Sequence, residues 1–389
     1  MTQEHASRHD VVVVGAGPAG LVAALLAARK GADVAVLAPA SPPRDQRTVA
    51  MLGVSVDLLK EAGIWGAIEA KASPLRTMRI VDATRRLVRA PLVEFHAGEI
   101  GREAFGYNIP NGDLVAALED AARAAGIARY FGVADDFRVG DAHVEIVASD
   151  GGVITTKLVG AADGRNSKAR DAAGLPVRRW SYRQAALVVN IAHALPHDDT
   201  STEFHTETGP FTLVPLPGLH SAVVCVERPE EAERLSKLDD EALALEFERR
   251  SHALLGRIRI DGSRQVFPLS GQTARHFAAR RIALIGEAAH VFPPIGAQGL
   301  NLGLRDAAVF AGVVGDHLAD PGASEALAAY DRQRTGDILS RTTAVDALNR
   351  TLLTGFLPVQ MMRGIGLFAL DRVPMLKRAV MRQGLAPHL

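Results

Sequence analysis

The first forty residues carry apolar runs and a glycine-rich turn in the order expected of a strand, a helix and a second strand. A short apolar run at 10–14 is typical of a strand that is buried on both faces in a parallel sheet. An alanine- and leucine-rich stretch at 21–30 predicts a helix ending at Gly31, and 32–37 predicts the next strand. The pattern therefore indicates a β-α-β unit at the start of the chain.

Further along, the apolar pattern changes character twice. Residues 178–270 contain β-like runs separated by polar turns, which favour an antiparallel sheet that carries a ligand pocket. On both sides of this region the pattern is α/β. The elements expected there and in the β-rich region are helices at 48–62, 113–125, 238–250, 300–318 and 324–348, strand-like alternation within 76–102 and 133–159, strands at 158–162 and 281–286, and a loop at 293–299.

Composition excludes several classes of protein. The chain has 389 residues, of which 48% are apolar and 23% are charged, so disordered and collagen-like chains are excluded. The 44 basic residues balance the 44 acidic ones, which gives no electrostatic reason to expect nucleic acid. A single cysteine, Cys225, forms neither an internal disulfide nor a cysteine metal cage, and we expect no metal site. The polar N-terminus and the lack of a long apolar run predict neither a secretory signal nor a membrane-spanning helix.

The turn after the first strand has glycines at the spacing of a dinucleotide-binding loop. Gly15 allows the tight turn, Gly17 lets a pyrophosphate approach the backbone, and Gly20 lets the helix pack on the strand. Between a strand and a helix this spacing favours nucleotide binding over a purely structural glycine turn. The acidic residue that usually accepts the ribose hydroxyls is missing, because Ala38 occupies its position.

Two later segments repeat the order of strand, turn and helix start, at 158–170 and 281–306. With the glycine loop they resemble the FAD-dependent aromatic hydroxylases of the para-hydroxybenzoate hydroxylase type. The signature closest to the ubiquinone-biosynthesis hydroxylases consists of Pro294, Gln298, Gly299, Asn301, Gly303 and Asp306. The chain departs from the family at Ala38, at Glu287 in place of Asp, at Pro293 in place of His, and in the order Gly296-Ala297.

The resemblance implies an α/β fold: a Rossmann-like FAD-binding domain, an inserted β-sheet substrate domain and a helical C-terminal tail. The expected domains are 1–177, with β insertions near 76–105, then 178–270, 271–345 and the tail 346–389. The implied function is an FAD-dependent monooxygenase that uses NAD(P)H and O2 to hydroxylate the aromatic ring of a ubiquinone precursor through a flavin C4a-hydroperoxide. Two alternatives stay open: a hydroxylase of a soluble aromatic or polyketide, and a flavin-poor scaffold subunit of a quinone-biosynthesis complex.

The resemblance also assigns the site residues. Pro294 and Gln298 are expected at the reacting centre, and the expected cofactor-binding residues are Gly15, Ala16, Gly17, Pro18, Ala19, Gly20, Arg47, Asp163, Gly286, Glu287, Gly296, Gly299, Leu300 and Asn301. Several of these residues have a plainer interpretation. Arg47 could be a solvated surface residue, Asp163 a helix cap and Glu287 a surface or capping residue. We interpret His290 as a packed structural histidine rather than a base.

Residues 350–389 contain six basic residues and one acidic residue, interleaved with leucine, phenylalanine and methionine. A basic amphipathic tail is typical of a helix that lies on a membrane surface, and equally of a helix that docks on the protein body or a partner. We expect a cytoplasmic protein, either free or peripheral on the inner membrane face. The expected partners are an aromatic, polyprenylated substrate, a membrane surface and a biosynthetic complex that the tail contacts, and no nucleic acid.

Overall fold

A computed structural model describes residues 7–40, 47–84, 89–293 and 298–353, together with 372, 373, 375, 377–379 and 381. The helices are α1 (Pro18–Arg29), α2 (Gly53–Glu61), α3 (Trp65–Ile68), α4 (Asn111–Ala124), α5 (Lys168–Ala172), α6 (Pro229–Ser236), α7 (Asp240–Arg250), α8 (Gln298–Asp316) and α9 (Ser324–Leu353).

The strands, in chain order, are β1 (Ser7–Val14), β2 (Val34–Ala38), β3 (Thr48–Leu52), β4 (Ser73–Pro74), β5 (Thr77–Asp82), β6 (Val93–His96), β7 (Gly106–Pro110), β8 (Ala128–Phe131), β9 (Ala134–Val139), β10 (Val144–Ala148), β11 (Val153–Ala161), β12 (Val177–His193), β13 (Thr200–His205), β14 (Pro210–Leu216), β15 (His220–Glu227), β16 (Ile258–Ile260), β17 (Gln265–Ala274), β18 (Ala278–Ala279), β19 (Ile282–Leu284) and β20 (His290–Val291).

The nucleotide sheet is built around β1 and has the order β18-β19-β11-β1-β2-β8. Strand β1 pairs in parallel with β2 on one side and with β11 on the other, and β11 pairs in parallel with β19. Val11, Val12 and Val13 are fully buried, as expected for a central parallel strand covered on both faces. The predicted β-α-β unit is confirmed, and its sheet includes the apolar strands that were expected near 158–162 and 281–286.

The second sheet has the order β20-β17-β12-β15-β14-β13-β5-β6, with β16 beside β12. Its pairs are antiparallel except β5 with β13, which are parallel. Helix α7 covers one face, where Phe247 packs with Leu187, Val223 and Phe211. The predicted antiparallel character therefore holds for most of the sheet, which also includes β5, β6 and β20 from outside 178–270.

The helix predicted at 48–62 is wrong in its first third. Residues 48–52 form β3, which pairs antiparallel with β7 in a small sheet that also contains β4. Helix α2 begins only at Gly53, whose amide donates to the carbonyl of Phe105 at 2.9 Å. A short apolar run satisfies either a strand or a helix period, and pairing with a distant strand decided the outcome.

The later helices differ from the prediction only in extent. Helix α8 begins at Gln298, two residues earlier than expected, and α9 continues to Leu353. The domain boundaries expected at 177/178, 270/271 and 345/346 stay predictions, and β17 and α9 run through the last two. Among the described residues, no helix is both long enough and apolar enough to cross a membrane.

Candidate functional site

The glycine loop and the Asp163 turn are in direct backbone contact. Gly15 has a φ of +110°, and a Cβ on it would overlap the carbonyl oxygen of Ala162. A Cβ on Gly20 would overlap the carbonyl oxygen of Gly15 and lie 2.9 Å from the Cβ of Ala162. These two glycines are therefore required by the close approach of two motifs that lie almost 150 residues apart in the chain.

The third motif closes on the same point. A Cβ on Gly303 in α8 would lie 3.1 Å from the Cβ of Ala19 and 3.2 Å from the Cα of Gly286. Gly286 itself has a φ of +62° and starts the turn Gly286–Ala288 that carries Glu287. Thus α1, the Gly286 turn and α8 pack together, and the three separated stretches meet in one cradle.

The start of α1 is suited to an anion. Gly17 occupies the N-cap position with a φ of −72° and a ψ of 168°, Pro18 begins the helix, and no described side chain caps it. No atom lies within 4 Å of a Cβ placed on Gly17, so the space above this turn is open within the described structure. Free amides at a helix N-terminus, with the positive end of the helix dipole, bind phosphate groups.

Asp163 has one carboxylate oxygen that lacks a partner. Its Oδ2 accepts a hydrogen bond from the amide of Ala169 at 3.1 Å, whereas Oδ1 is buried with no hydrogen bond among the described residues. Burial raises the pKa of Asp163, and the hydrogen bonds from Ser167 and Ala169 do not offset it. The cap of α5 is Ser167, whose hydroxyl accepts from Arg170 N. Asp163 therefore offers an acceptor for a ligand hydroxyl.

These features fit the FAD that the resemblance implies. The open turn at Gly17 suits its pyrophosphate, and the buried Oδ1 of Asp163 suits a hydroxyl of the cofactor. The position normally taken by a ribose-binding acid is Ala38, as expected, and the nearby guanidinium of Arg129 donates to the carbonyl of Ala38 at 3.2 Å. Among the described residues, no group of three or more His, Cys, Asp or Glu side chains could hold a metal.

The start of α8 joins the cradle to the small sheet. The Oδ1 of Asn301 accepts from the amide of Leu52 at 2.8 Å and from the hydroxyl of Ser55 at 2.6 Å, and its Nδ2 donates to the carbonyl of Ala50 at 2.9 Å. The Asn301 side chain thus holds β3 and α2 against α8, and its contact with the cofactor stays a prediction.

Gln298, Gly299 and Leu300 form the first turn of α8. Gln298 lines a small cleft between α2 and α8, together with Leu52, Val54, Ser55, Asn301, Leu302 and Arg305. A Cβ on Gly299 would meet no atom of the described residues within 4 Å, and Leu300 packs on the main core. Pro294 and Gly296 lie outside the described residues, so their roles stay predictions.

Glu287 belongs to the Gly286 turn of the cradle, whereas Arg47 directly precedes β3. The guanidinium of Arg47 lies over the ring of Phe267 in β17, 5.5 Å from its centre, so this residue spans from the nucleotide portion to the second sheet. Glu287 is exposed on the Gly286 turn. Ala16 and Ala19 pack partly buried against the main core. Contact of Arg47 and Glu287 with the cofactor stays a prediction.

A buried charge network behind the Gly286 turn was not predicted. Asp306, which has no exposed surface, accepts from the amide of Gly286 at 2.8 Å, from Nε2 of His290 at 2.7 Å and from Nε of Arg334 at 2.7 Å. We call these four residues the Asp306 network. Burial would lower the pKa of Arg334, but Asp306, Tyr330 and Asp337 hold it above its ordinary value.

His290 is packed, as we interpreted it, and its Nε2 is also hydrogen-bonded to Asp306. One feature of the sequence did indicate such a network. Asp306 is an acidic residue on the buried face of a predicted helix, and a buried carboxylate requires a cation as partner. Sequence alone did not show that the cation is Arg334, because that residue belongs to a different helix, α9.

The family described as an FAD binding domain matches residues 8–339. A ubiquinone hydroxylase of Rhodospirillum rubrum, UbiL, is 33% identical to this chain, and the alignment covers 97% of this chain and 89% of that protein. The 3-demethoxyubiquinol 3-hydroxylase of Escherichia coli is 29% identical, with 97% of this chain and 98% of that protein covered.

Among solved structures, the p-nitrophenol 4-monooxygenase PnpA of Pseudomonas putida superposes with a TM-score of 0.81. The superposition covers 98% of this chain and all of that one at 18% sequence identity. At that identity the likeness concerns the fold. Mixed α/β architecture, with a nucleotide sheet and a second sheet, is therefore shared with a solved monooxygenase.

Proposed function

The chain belongs to the family of FAD-binding-domain flavoproteins, and on this basis we propose that it is a monooxygenase hydroxylating the aromatic ring of a ubiquinone precursor. Its cofactors are FAD and NAD(P)H. The observation that carries the proposal is the cradle, in which Gly15 and Gly20 lie against Ala162 while Gly286 and Gly303 lie against Ala19. The two ubiquinone-pathway relatives support the class of substrate.

The chain's own residues bind and orient, while FAD, when bound, supplies hydride acceptance and activation of O2. The N-terminus of α1 would hold the pyrophosphate, and Oδ1 of Asp163 would accept from a hydroxyl group of the cofactor. The N-terminus of α8 would place a partial positive charge beside the flavin ring system. In the overall reaction, NAD(P)H and a proton supply two electrons and two hydrogens, one oxygen atom enters the ring, and the other leaves as water.

We propose that the substrate ring binds next to an apolar face of the second sheet. Ala186, Val226 and Leu269 form a buried apolar group on the face opposite α7. Phe267 lies two residues before Leu269 in β17, so its side chain is on the same face of the sheet. The guanidinium of Arg47 lies over the ring of Phe267. Arg47 therefore reaches this face from the position directly before β3. An apolar wall excludes water from the reacting groups, which such chemistry requires.

The experiment is a gene deletion with profiling of the prenylated quinone intermediates. We expect a phenolic precursor lacking one ring oxygen to accumulate, and complementation by wild type and by the Gly66→Ala control to restore the quinone. Gly17→Ala should restore it poorly. An unchanged quinone profile in the deletion strain would overturn the substrate, and full rescue by a variant that binds no FAD would support a scaffold instead.

We further propose that the protein is cytoplasmic and docks on the inner membrane face through its C-terminal segment. Lys377 pairs with Glu99 at 2.7 Å, and Met381 packs against Val93 and Phe95 of β6, so one side of this segment is held on the body. Met375, on the opposite side of this helical segment, is 80% exposed, and Val373, one turn before Lys377, is 45% exposed. Exposed apolar residues next to basic ones suit an anionic lipid surface.

Co-sedimentation with vesicles tests the docking. We expect the protein to bind vesicles containing an anionic phospholipid, and to bind them less at high salt and after Met375→Glu. Equal sedimentation of wild type and Met375→Glu, or no binding at low salt, would contradict docking through this segment.

A further inference from the structure

We propose that Arg334 and Asp306 are positioning residues that hold the flavin turn at Gly286 and the edge strand β20 in a fixed relation; the inference rests on the proposed FAD-dependent function. Neither residue needs to touch the cofactor. Asp306 binds the backbone amide of Gly286 and the ring of His290 directly, and Arg334 acts on both through its bond to Asp306.

One carboxylate joins the two sheets. Oδ2 of Asp306 accepts from the amide of Gly286, which follows β19 of the nucleotide sheet, and from Nε2 of His290, which lies in β20 of the second sheet. His290 is opposite Thr273 of β17, the strand that also carries Phe267. The position of the Gly286 turn is therefore tied to the wall proposed for the substrate ring.

Arg334 provides the charge that this carboxylate requires. Its Nε donates to Oδ1 of Asp306 at 2.7 Å, and its Nη1 to Asp337 at 2.9 Å, so α9 supports the network from behind. Asp337 also lies 3.5 Å from Nη1 of Arg305, which lines the cleft beside Gln298. A fully buried carboxylate without a cation is strongly disfavoured, and the fixed fork of an arginine holds it in one orientation.

A contribution to the stability of the fold does not by itself explain the Asp306 network. Nδ1 of His290 and Nη2 of Arg334 are buried with no hydrogen bond among the described residues. Partly satisfied polar groups cost free energy in a core, and buried ion pairs stabilise no better than apolar residues of the same volume. What the network does provide is one defined geometry for the Gly286 amide, whose φ of +62° the turn must keep.

The test compares FAD binding and flavin properties in four variants: Arg334→Gln, Arg334→Lys, the double variant Asp306→Asn/Arg334→Gln, and Arg332→Gln as a control on the exposed side of the same helix. The readouts are the FAD dissociation constant, the midpoint potential and visible spectrum of bound flavin, and the melting temperature of the apoprotein. None of these requires the aromatic substrate.

We expect Arg334→Gln to raise the FAD dissociation constant about tenfold or more and to shift the potential and spectrum, with partial rescue in Arg334→Lys and no change in Arg332→Gln. The double variant leaves no unpaired charge, so it should fold, and it should show the same loss. Wild-type affinity, potential and spectrum in the double variant would overturn the inference. A wild-type protein that binds FAD but leaves the quinone precursor unchanged would instead overturn the proposed function.

Discussion

Replacing Gly17 by alanine separates cofactor binding from folding. The Cβ would project into space that holds no described atom within 4 Å, and the φ of −72° is accessible to every residue. The apoprotein should therefore keep its stability to within about 1 kcal/mol. The same methyl group would stand where the pyrophosphate approaches the amides of α1.

The loss of FAD affinity in Gly17→Ala follows from the hydrogen bonds between the pyrophosphate and the amides of α1. A hydrogen bond to a charged group contributes about 1.5–3 kcal/mol, so displacing the pyrophosphate from one amide should weaken FAD binding roughly 10- to 150-fold. Gly15→Ala is the contrast, because its Cβ would overlap the carbonyl of Ala162 at a φ of +110°. That variant should lose FAD affinity and apoprotein stability together.

The assay is FAD titration by fluorescence quenching, with differential scanning fluorimetry of the apoproteins. Gly66→Ala is the matched control, since its Cβ also meets no described atom within 4 Å and the residue lies in α3. Wild-type FAD affinity in Gly17→Ala, or an apoprotein as unstable as Gly15→Ala, would refute the reasoning.

Three further outcomes are expected. Burial raises the pKa of Cys225 to about 12, so its thiol should resist a disulfide reagent at pH 8 until the protein is unfolded; rapid native reaction would contradict its position. Burial raises the pKa of Asp163, so its ionisation opposes folding as the pH rises above the ordinary carboxyl range. Asp163→Asn should therefore raise the melting temperature of the apoprotein at neutral pH, and raise it by a smaller amount in acid. A difference in melting temperature that does not depend on pH would contradict this. Asn301→Ala should cost about 3 kcal/mol in urea unfolding, because it leaves the Leu52 amide and two further groups unpaired, and a loss below about 1 kcal/mol would show that they find other partners.

Local pattern was sufficient for the first part of the cradle, the unit of β1, the glycine turn and α1. The run at 10–14, the glycine spacing and the helix ending at Gly31 are short-range features, and the structure has β1, the turn and α1 where they were expected. The contact between Gly15 and Ala162 is long-range and has no signal in the periodicity; the family resemblance implied only that both residues belong to the FAD-binding domain.

Features that depend on distant partners were missed. Residues 48–52 became a strand because β7, more than fifty residues later, pairs with them. Arg334 belongs to a helix whose charged residues look like an ordinary solvated face, and only tertiary packing puts it on Asp306. The parallel pairing of β5 with β13 joins stretches more than a hundred residues apart, which no local signal indicates.

The central claim is that three separated stretches form one binding site for FAD. Its most direct test is a spectrophotometric titration of the apoprotein with FAD, followed by the flavin absorbance that remains after gel filtration. We expect one FAD per chain with a spectrum distinct from that of free FAD. Flavin that elutes entirely apart from the protein, at concentrations that saturate related flavoproteins, would contradict the account.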